Sequence, residues 1–283
     1  MKRRRVRKQF IGFVGLSLIY SGYLMLLGPY LCDQYARIFQ ITNVANYARE
    51  FNDLDEQDIQ AAKQRAYTYN EQVYQQQLVK PYRYQANQDY DLNYLSLPWD
   101  EAEELFTIMI AKIKVNLPVG HGTSDELLQV MAGHLYGTSI PCNQKDSHTV
   151  VAAHSGLRSS ELFSRLDELE LDDEIKIRFL DEIYTYQVDK IEIVLPDEAD
   201  NYLQIIPHED YLTLYTCTPY GINTHRLLVR AKKMSKVEKV EEDSLKLSNQ
   251  SYVPLIKIVL LSVGPLIGGG AWIKIKRRKQ WQK

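Results

Sequence analysis

The chain has 283 residues, 45% of them hydrophobic, which suffices for one globular domain with extensions. Its net charge of -2 conceals a segregation: Lys2, Arg3, Arg4, Arg5, Arg7 and Lys8 open the chain, Lys274, Lys276, Arg277, Arg278, Lys279 and Lys283 close it, and residues 32–250 carry 21 basic against 36 acidic residues. A body this acidic argues against nucleic-acid binding, and three cysteines without framework spacing exclude a disulfide-built scaffold.

In chain order, the apolar stretch Phe10 to Leu27 comes first, close to the roughly 20 residues that span a bilayer. Gly28-Pro29-Tyr30-Leu31-Cys32 offers no small-x-small cleavage site, so a transmembrane helix is expected here and not a cleaved signal peptide. Tyr35, Ile38, Phe39, Val44, Tyr47, Ala48 and Phe51 then recur at three- and four-residue intervals, the pattern of an amphipathic helix. A second helix is expected from about Glu56 to Leu78, capped by Asp53-Leu54-Asp55 and ended by Pro81. Lys80 to Trp99 lacks periodicity and is rich in aromatic residues, which predicts an irregular segment lying over something apolar.

From Leu105 the pattern turns to strands: Phe106–Ile110, Val115–Val119, Thr149–His154, Glu174–Phe179, Ile183–Val194, Tyr211–Cys217 and His225–Ala231. Short helical turns are expected at Asp125–Val130 and Ser160–Leu166, and a closed barrel with few helices accommodates the set. Lys232 to Gln250 is charged and free of aromatic residues, and reads as a tether to a second apolar span, Tyr252 to Ile273. Both basic clusters lie outside the apolar spans, so the positive-inside rule places both termini in the cytoplasm and the acidic body outside the cell.

Cys217 ends one strand, His154 ends another, and Arg226 follows Cys217 by nine residues. These are the parts of a thiol acyl-transfer site: sulfur to attack a carbonyl, imidazole to move a proton, guanidinium to stabilise the oxyanion. A lone cysteine on a strand is equally a packed core residue, so from residue types alone both readings stand. Cys142 reads as a packed hydrophobe, although a pairing with Cys217 or Cys32 is open to an external protein. His121, His134, His148 and His208 fall in loop-like stretches without ligand spacing, His225 is expected on the strand face opposite Arg226, and no metal site is expected.

The stretch TLYTCTPYGINTHRLLVR (Thr213 to Arg230) resembles the signature of class C sortases, the pilin-polymerising transpeptidases of Gram-positive bacteria. LPVGHGTS (Leu117 to Ser124), GHLYGTSIP (Gly133 to Pro141) and AHSGL (Ala153 to Leu157) resemble the family in order and spacing. The resemblance implies a mainly β fold: a closed sortase-type barrel of about eight strands with short helices, preceded by two N-terminal helices and flanked by two transmembrane helices. It implies Cys217 as the nucleophile that cleaves a Leu-Pro-x-Thr-Gly-like sorting signal after Thr, His154 as general acid and base, and Arg226 as oxyanion stabiliser. The partners implied are pilin subunits bearing a sorting signal and an acceptor lysine, together with the membrane, and no cofactor is required. Neighbouring readings are a sortase of another class that anchors proteins to the cell wall, and a non-catalytic membrane-tethered barrel.

The family's lid over the thiol carries Asp-Pro-aromatic, where this chain has Lys80-Pro81-Tyr82. Two outcomes are open: Tyr82 shields the thiol while Lys80 faces solvent or the thiolate, or the lid is absent or disordered. Ala111 and Cys142 also depart from the family's commoner proline and aliphatic residue. The division expected is a basic tail over 1–9, a transmembrane helix over 10–31, a helical pre-barrel region with a candidate lid over 32–102, the barrel over 103–233, a linker over 234–250, a transmembrane helix over 251–273 and a basic tail over 274–283.

Overall fold

The computed structural model describes most of residues 12–30, Phe51, and residues 54–85, 89–99, 102, 104–155 and 162–239. Eight strands, β1 (Phe106–Ile110), β2 (Val115–His121), β3 (Ala132–His134), β4 (Ser147–Ala152), β5 (Glu174–Phe179), β6 (Glu182–Val194), β7 (Asp210–Thr218) and β8 (His225–Lys239), close into a barrel. Their order around it is β1-β2-β3-β4-β7-β8-β6-β5, with β2–β3 and β4–β7 parallel and the other neighbours antiparallel. Closure leaves no free sheet edge. Alternation turns Ile108, Val151, Leu212, Leu214, Leu227 and Val229 into one interior core. Each such side chain, fully buried, contributes about 1.5–3 kcal/mol.

Helix α1 (Glu56–Val79) lies against the barrel. Asp55 caps it, accepting from the Gln57 and Asp58 amides at 2.8 and 2.9 Å, while the Asp58 carboxylate accepts from the Asp55 amide at 3.4 Å. Ile59, Ala62, Ala66, Tyr69 and Val73 form the buried stripe expected from the periodicity. Two polar contacts fix its placement. Asn70, fully buried, donates to the Ile140 carbonyl at 2.8 Å and accepts from the Ile140 amide at 2.7 Å, and Lys63 pairs with Asp181 and Glu182 at 2.6 and 2.9 Å. Lys80 is extended, as the residue before a proline prefers, and ends the helix. Helix α2 (Leu92–Leu95) is a single turn that sinks Tyr94 completely, and Tyr82 is likewise buried, whereas Tyr84 stays exposed. Helix α3 (Asp125–Leu128) is equally short.

Four expectations need correction. Lys232 to Lys239 is not tether: β8 runs to Lys239, paired with β6 back to Glu182. Its charges are compatible with a strand because they are met laterally, Lys233 by Asp210 at 3.3 Å and Glu238 by Lys176 at 3.5 Å. β3 was not anticipated, since Ala132-Gly133-His134 carries no β-branched residue and is held by its neighbours, not by propensity. His121, His134 and His148 are strand residues, not loop residues, and the last two are fully buried. The expected helical turns at Ser160–Leu166 are turns leading into a single 3-10 turn at Leu166–Glu168 where they are described.

Among the described residues no helix is long and apolar enough to cross a membrane. The segment 251–273 lies outside the described residues, as does nearly all of the helix expected from Tyr35 to Phe51.

Candidate active site

The parallel pairing of β4 with β7 runs from Ser147 opposite Asp210 to Ala152 opposite Tyr215. Continued by two residues, the same register sets His154 level with Cys217. Three bonds carry it past the strand end: the Ala153 amide donates to the Tyr215 carbonyl at 3.2 Å, the Thr216 hydroxyl donates to the Ala153 carbonyl at 2.7 Å, and the Ser155 hydroxyl donates to the Cys217 carbonyl. On the other side β7 pairs with β8 so that Cys217 stands directly opposite Arg226. His154, two residues past the end of β4, thus falls in register with Cys217 on β7 and Arg226 on β8.

The turn between β7 and β8 makes this registration. The Pro219 carbonyl accepts from the Ile222 and Asn223 amides at 3.0 Å each, and Gly221 and Asn223 take left-handed backbone (φ 74° and 61°), which these residue types tolerate. Strand alternation then decides the face. Leu212 and Leu214 point into the core, so Thr213, Tyr215 and Cys217 point outward, beside Val150 and Ala152 of β4 and Leu228 of β8. Cys217 and His154 are both half-buried. No hydrogen-bond partner of either side chain occurs among the described residues. The Arg226 guanidinium donates through Nε to the Tyr215 hydroxyl at 3.0 Å and through Nη1 to the Asn223 and His225 carbonyls at 3.2 and 3.0 Å. Burial holds the Tyr215 phenol above its ordinary range, an effect that Arg226 partly offsets.

Chemically, these three residues combine a nucleophilic sulfur, a proton carrier and a fixed cation on one accessible surface. Farther along the same face, a groove of about 240 Å³ is lined by Tyr202, Gln204, Thr213, Leu228 and Arg230 among others.

The segment after α1 is ordered and crosses this face. Lys80 and Pro81 are exposed, whereas Tyr82 is buried against Leu135, Val150, Ala152, Leu203 and Tyr215. The Tyr82 amide donates to Gln204 Oε1 at 2.8 Å and its carbonyl accepts from Gln204 Nε2 at 3.1 Å, while its hydroxyl donates to the Tyr136 carbonyl at 3.3 Å. Asp200 accepts from the Tyr84 amide at 3.2 Å. Gly137, with φ 84° and no Cβ, lets the Tyr82 ring approach. Tyr82 therefore packs on Ala152 and Tyr215, the outward residues two positions before His154 and Cys217, and Lys80 does not reach into the cluster.

Cys142, His134 and His148 have structural surroundings. Cys142 is buried, receives the Asn70 amide on sulfur at 3.1 Å, and is a free thiol, as is Cys217. Burial pushes the Cys142 thiol well up, which keeps it protonated and unreactive. His134 lies between the Tyr94 hydroxyl and the Ser139 carbonyl at 3.0 Å each, and burial lowers its pKa to about 3. His148 sits beneath the Gln204 carbonyl (2.9 Å) and beside the Thr213 hydroxyl (2.7 Å), lowered to about 4 by burial. Sequence reasoning missed Tyr215 and Gln204; the alternation of Tyr215 with Cys217 was the available signal for the first, and nothing local marked the second.

Residues 108–234 match the family model of the sortase domain. Among solved structures, sortase C1 of Streptococcus agalactiae is 40% identical with a TM-score of 0.61, the match covering 68% of this chain and 97% of that one. Sortase C-1 of Streptococcus pneumoniae is 34% identical with a TM-score of 0.61, over 69% and 99% of the two chains. Sortase C-1 of Actinomyces oris is 32% identical with a TM-score of 0.57, over 63% and 99%. A curated relative, sortase D of Bacillus subtilis, is 28% identical over 130 residues, 44% of this chain and 62% of the relative's own length. The motif set, the closed eight-stranded barrel and these likenesses lead to one assignment: the chain belongs to the sortase family, among its class C members.

Proposed function

We propose that the chain is a cysteine transpeptidase acting on a Leu-Pro-x-Thr-Gly-like sorting signal, with Cys217 as nucleophile, His154 as acid and base, and Arg226 as oxyanion stabiliser. The observation that supports this reading is the pairing of Cys217 with Arg226 across β7 and β8, together with the β4–β7 register that, continued two residues past the end of β4, sets His154 level with Cys217. The Cys217 thiolate attacks the Thr carbonyl, and the oxyanion that forms is met by the guanidinium. The bond to Gly breaks as His154 gives its proton to the departing amine, leaving a thioester. A lysine amine then attacks the thioester and loses a proton to His154, the carbon–sulfur bond breaks, and the thiolate is restored with an isopeptide bond formed. The groove beside Tyr202 and Leu228 supports binding of an extended apolar-polar peptide along this face.

Pilin polymerisation is the assigned role. One matched structure, the sortase C of Streptococcus pneumoniae, is described in terms of pilin substrate specificity, and 33% identity to it supports a pilin substrate here. The site of action is the outer face of the cell membrane of a Gram-positive bacterium, with both termini cytoplasmic. Two apolar spans flanked outside by basic clusters support this, as does the exposure of Leu18, Ile19, Met25 and Leu26 on the N-terminal helical residues. Residues 80–82 act as a lid through Tyr82, with Lys80 in solvent; the alkylation rate of Cys217 is its measure.

The deciding experiment incubates the full-length chain with a Leu-Pro-Glu-Thr-Gly peptide and traps an adduct on Cys217 by mass spectrometry. Co-expression with a pilin should give a covalent high-mass ladder that vanishes in Cys217→Ala. Absence of any Cys217 adduct would leave a binding barrel, and adducts with wall-linked monomers instead of a ladder would mark an anchoring sortase.

A further inference from the structure

Tyr215 fills the variable position in Thr-Leu-x-Thr-Cys and shares the outward face of β7 with Cys217. Arg226 stands opposite Cys217 and diagonal to Tyr215, and its Nε–H donates to the Tyr215 hydroxyl at 3.0 Å. A guanidinium has five N–H donors. The one on Nε is used by Tyr215, and Nη1 is used by the Asn223 and His225 carbonyls. Among the described residues Nη2 meets no acceptor and no carboxylate is paired with Arg226.

Among the described residues, every anchor of this guanidinium is therefore neutral. A carboxylate partner would orient it equally well but would also cancel the charge that a developing oxyanion needs. A phenol fixes the plane and leaves the charge uncompensated. The Tyr215 ring is itself held firmly, by Tyr82, Val150 and Ala152 on one side and by Val194, Ala199 and Leu228 on the other. Two carbonyls on Nη1 alone allow the group to rotate about the line they define; the third contact, on Nε, removes that freedom.

We propose that Tyr215 is a positioning residue for Arg226: its hydroxyl locks the guanidinium with Nη2 available to the substrate oxyanion, without neutralising it. The inference rests on the oxyanion role of Arg226.

Tyr215→Phe removes the oxygen and keeps the ring, so packing around Tyr82 and Leu228 survives. With the full-length chain in detergent and a Leu-Pro-Glu-Thr-Gly peptide as probe, Tyr215→Phe should lower kcat about tenfold, the scale of one lost orienting hydrogen bond, with KM changed less than about twofold. In an Arg226→Lys background, which has no Nε to hold, the same substitution should cost nothing further. Wild-type kcat in Tyr215→Phe overturns the proposal. So does an equal loss in both backgrounds, or a loss that follows a lowered melting temperature, since either would mean that the ring acts through packing. A wild-type chain that forms no Cys217 adduct refutes the role of Arg226, and the inference with it. Wild-type turnover alongside a silent Tyr215→Phe refutes the inference alone.

Discussion

Gln204→Ala should release the segment that packs beside the candidate active site. The Gln204 side chain accepts from the Tyr82 amide at 2.8 Å and donates to the Tyr82 carbonyl at 3.1 Å and the Asp200 carbonyl at 2.6 Å. A net value of about 0.5–1.5 kcal/mol for each of the two bonds to Tyr82 bounds the loss at roughly 1–3 kcal/mol. The groups are only partly buried, so water replaces some of it, and about 2 kcal/mol is expected. That corresponds to a roughly 30-fold larger opening constant for residues 80–85, since about 1.4 kcal/mol is a factor of ten. The Tyr82 ring keeps its contacts with Leu135 and Val150, so the opening is local and the barrel is untouched. Hydrogen exchange read on a peptide covering residues 80–85 is the assay, with exchange in β7 as internal reference. Unaltered protection of the Tyr82 amide would show that Gln204 is not what holds the segment, and acceleration in β7 as well would show that the segment has no independent opening.

Tyr82→Ala should speed alkylation of Cys217 by iodoacetamide several-fold and raise peptide cleavage; unchanged rates would dispose of the lid. Asn70→Ala strands the buried amide and carbonyl of Ile140, and should destabilise the chain by about 2–4 kcal/mol in urea denaturation, whereas a loss below about 0.5 kcal/mol would mean that water takes over. His148 titrates near 4 when folded, through burial and the nearby Arg230, opposed by its bond to the Gln204 carbonyl and by Asp189. Its ordinary value is 6.5, so as pH falls the unfolded chain takes the proton first. The stability it contributes, roughly 3 kcal/mol at most, is complete above pH 6.5 and is lost between about 6.5 and 4. The melting temperature of His148→Asn should accordingly fall less over that interval than that of the wild type, and parallel profiles would contradict the assignment.

How much of this was readable beforehand differs by residue. The strands with clean alternation, such as Glu174–Phe179 and Tyr211–Cys217, were legible because one face is apolar. The candidate triad was singled out because its order and spacing match a family pattern, while the chemistry of three residue types alone left Cys217 undecided. β3 was not legible, because its three residues are held by partners distant in sequence. The end of β8 was missed for a related reason: its lysines and glutamates look solvated until Asp210 and Lys176 are known to lie beside them. His134 and His148 carry no strand signal in the sequence, since burial among hydrogen-bond partners leaves no periodic trace.

The long β6–β8 ribbon has an orientational consequence. Arg226 pairs with Val194 at one end of it and Lys239 with Glu182 at the other. Twelve residues of strand separate those ends, about 40 Å along the strand. Lys63, near the start of α1, binds Glu182, so the chain enters and leaves the barrel at the same pole, and Cys217 is at the opposite one. With both flanking spans in a bilayer, the thiol would stand away from the lipid surface by most of that length, reduced by the tilt of the strands. On the proposed function, incoming subunits would then be joined at the outer tip of the barrel, with clearance beneath for a product to pass sideways. Shortening residues 240–250 would leave peptide cleavage intact in detergent while lowering the height of that tip in the cell.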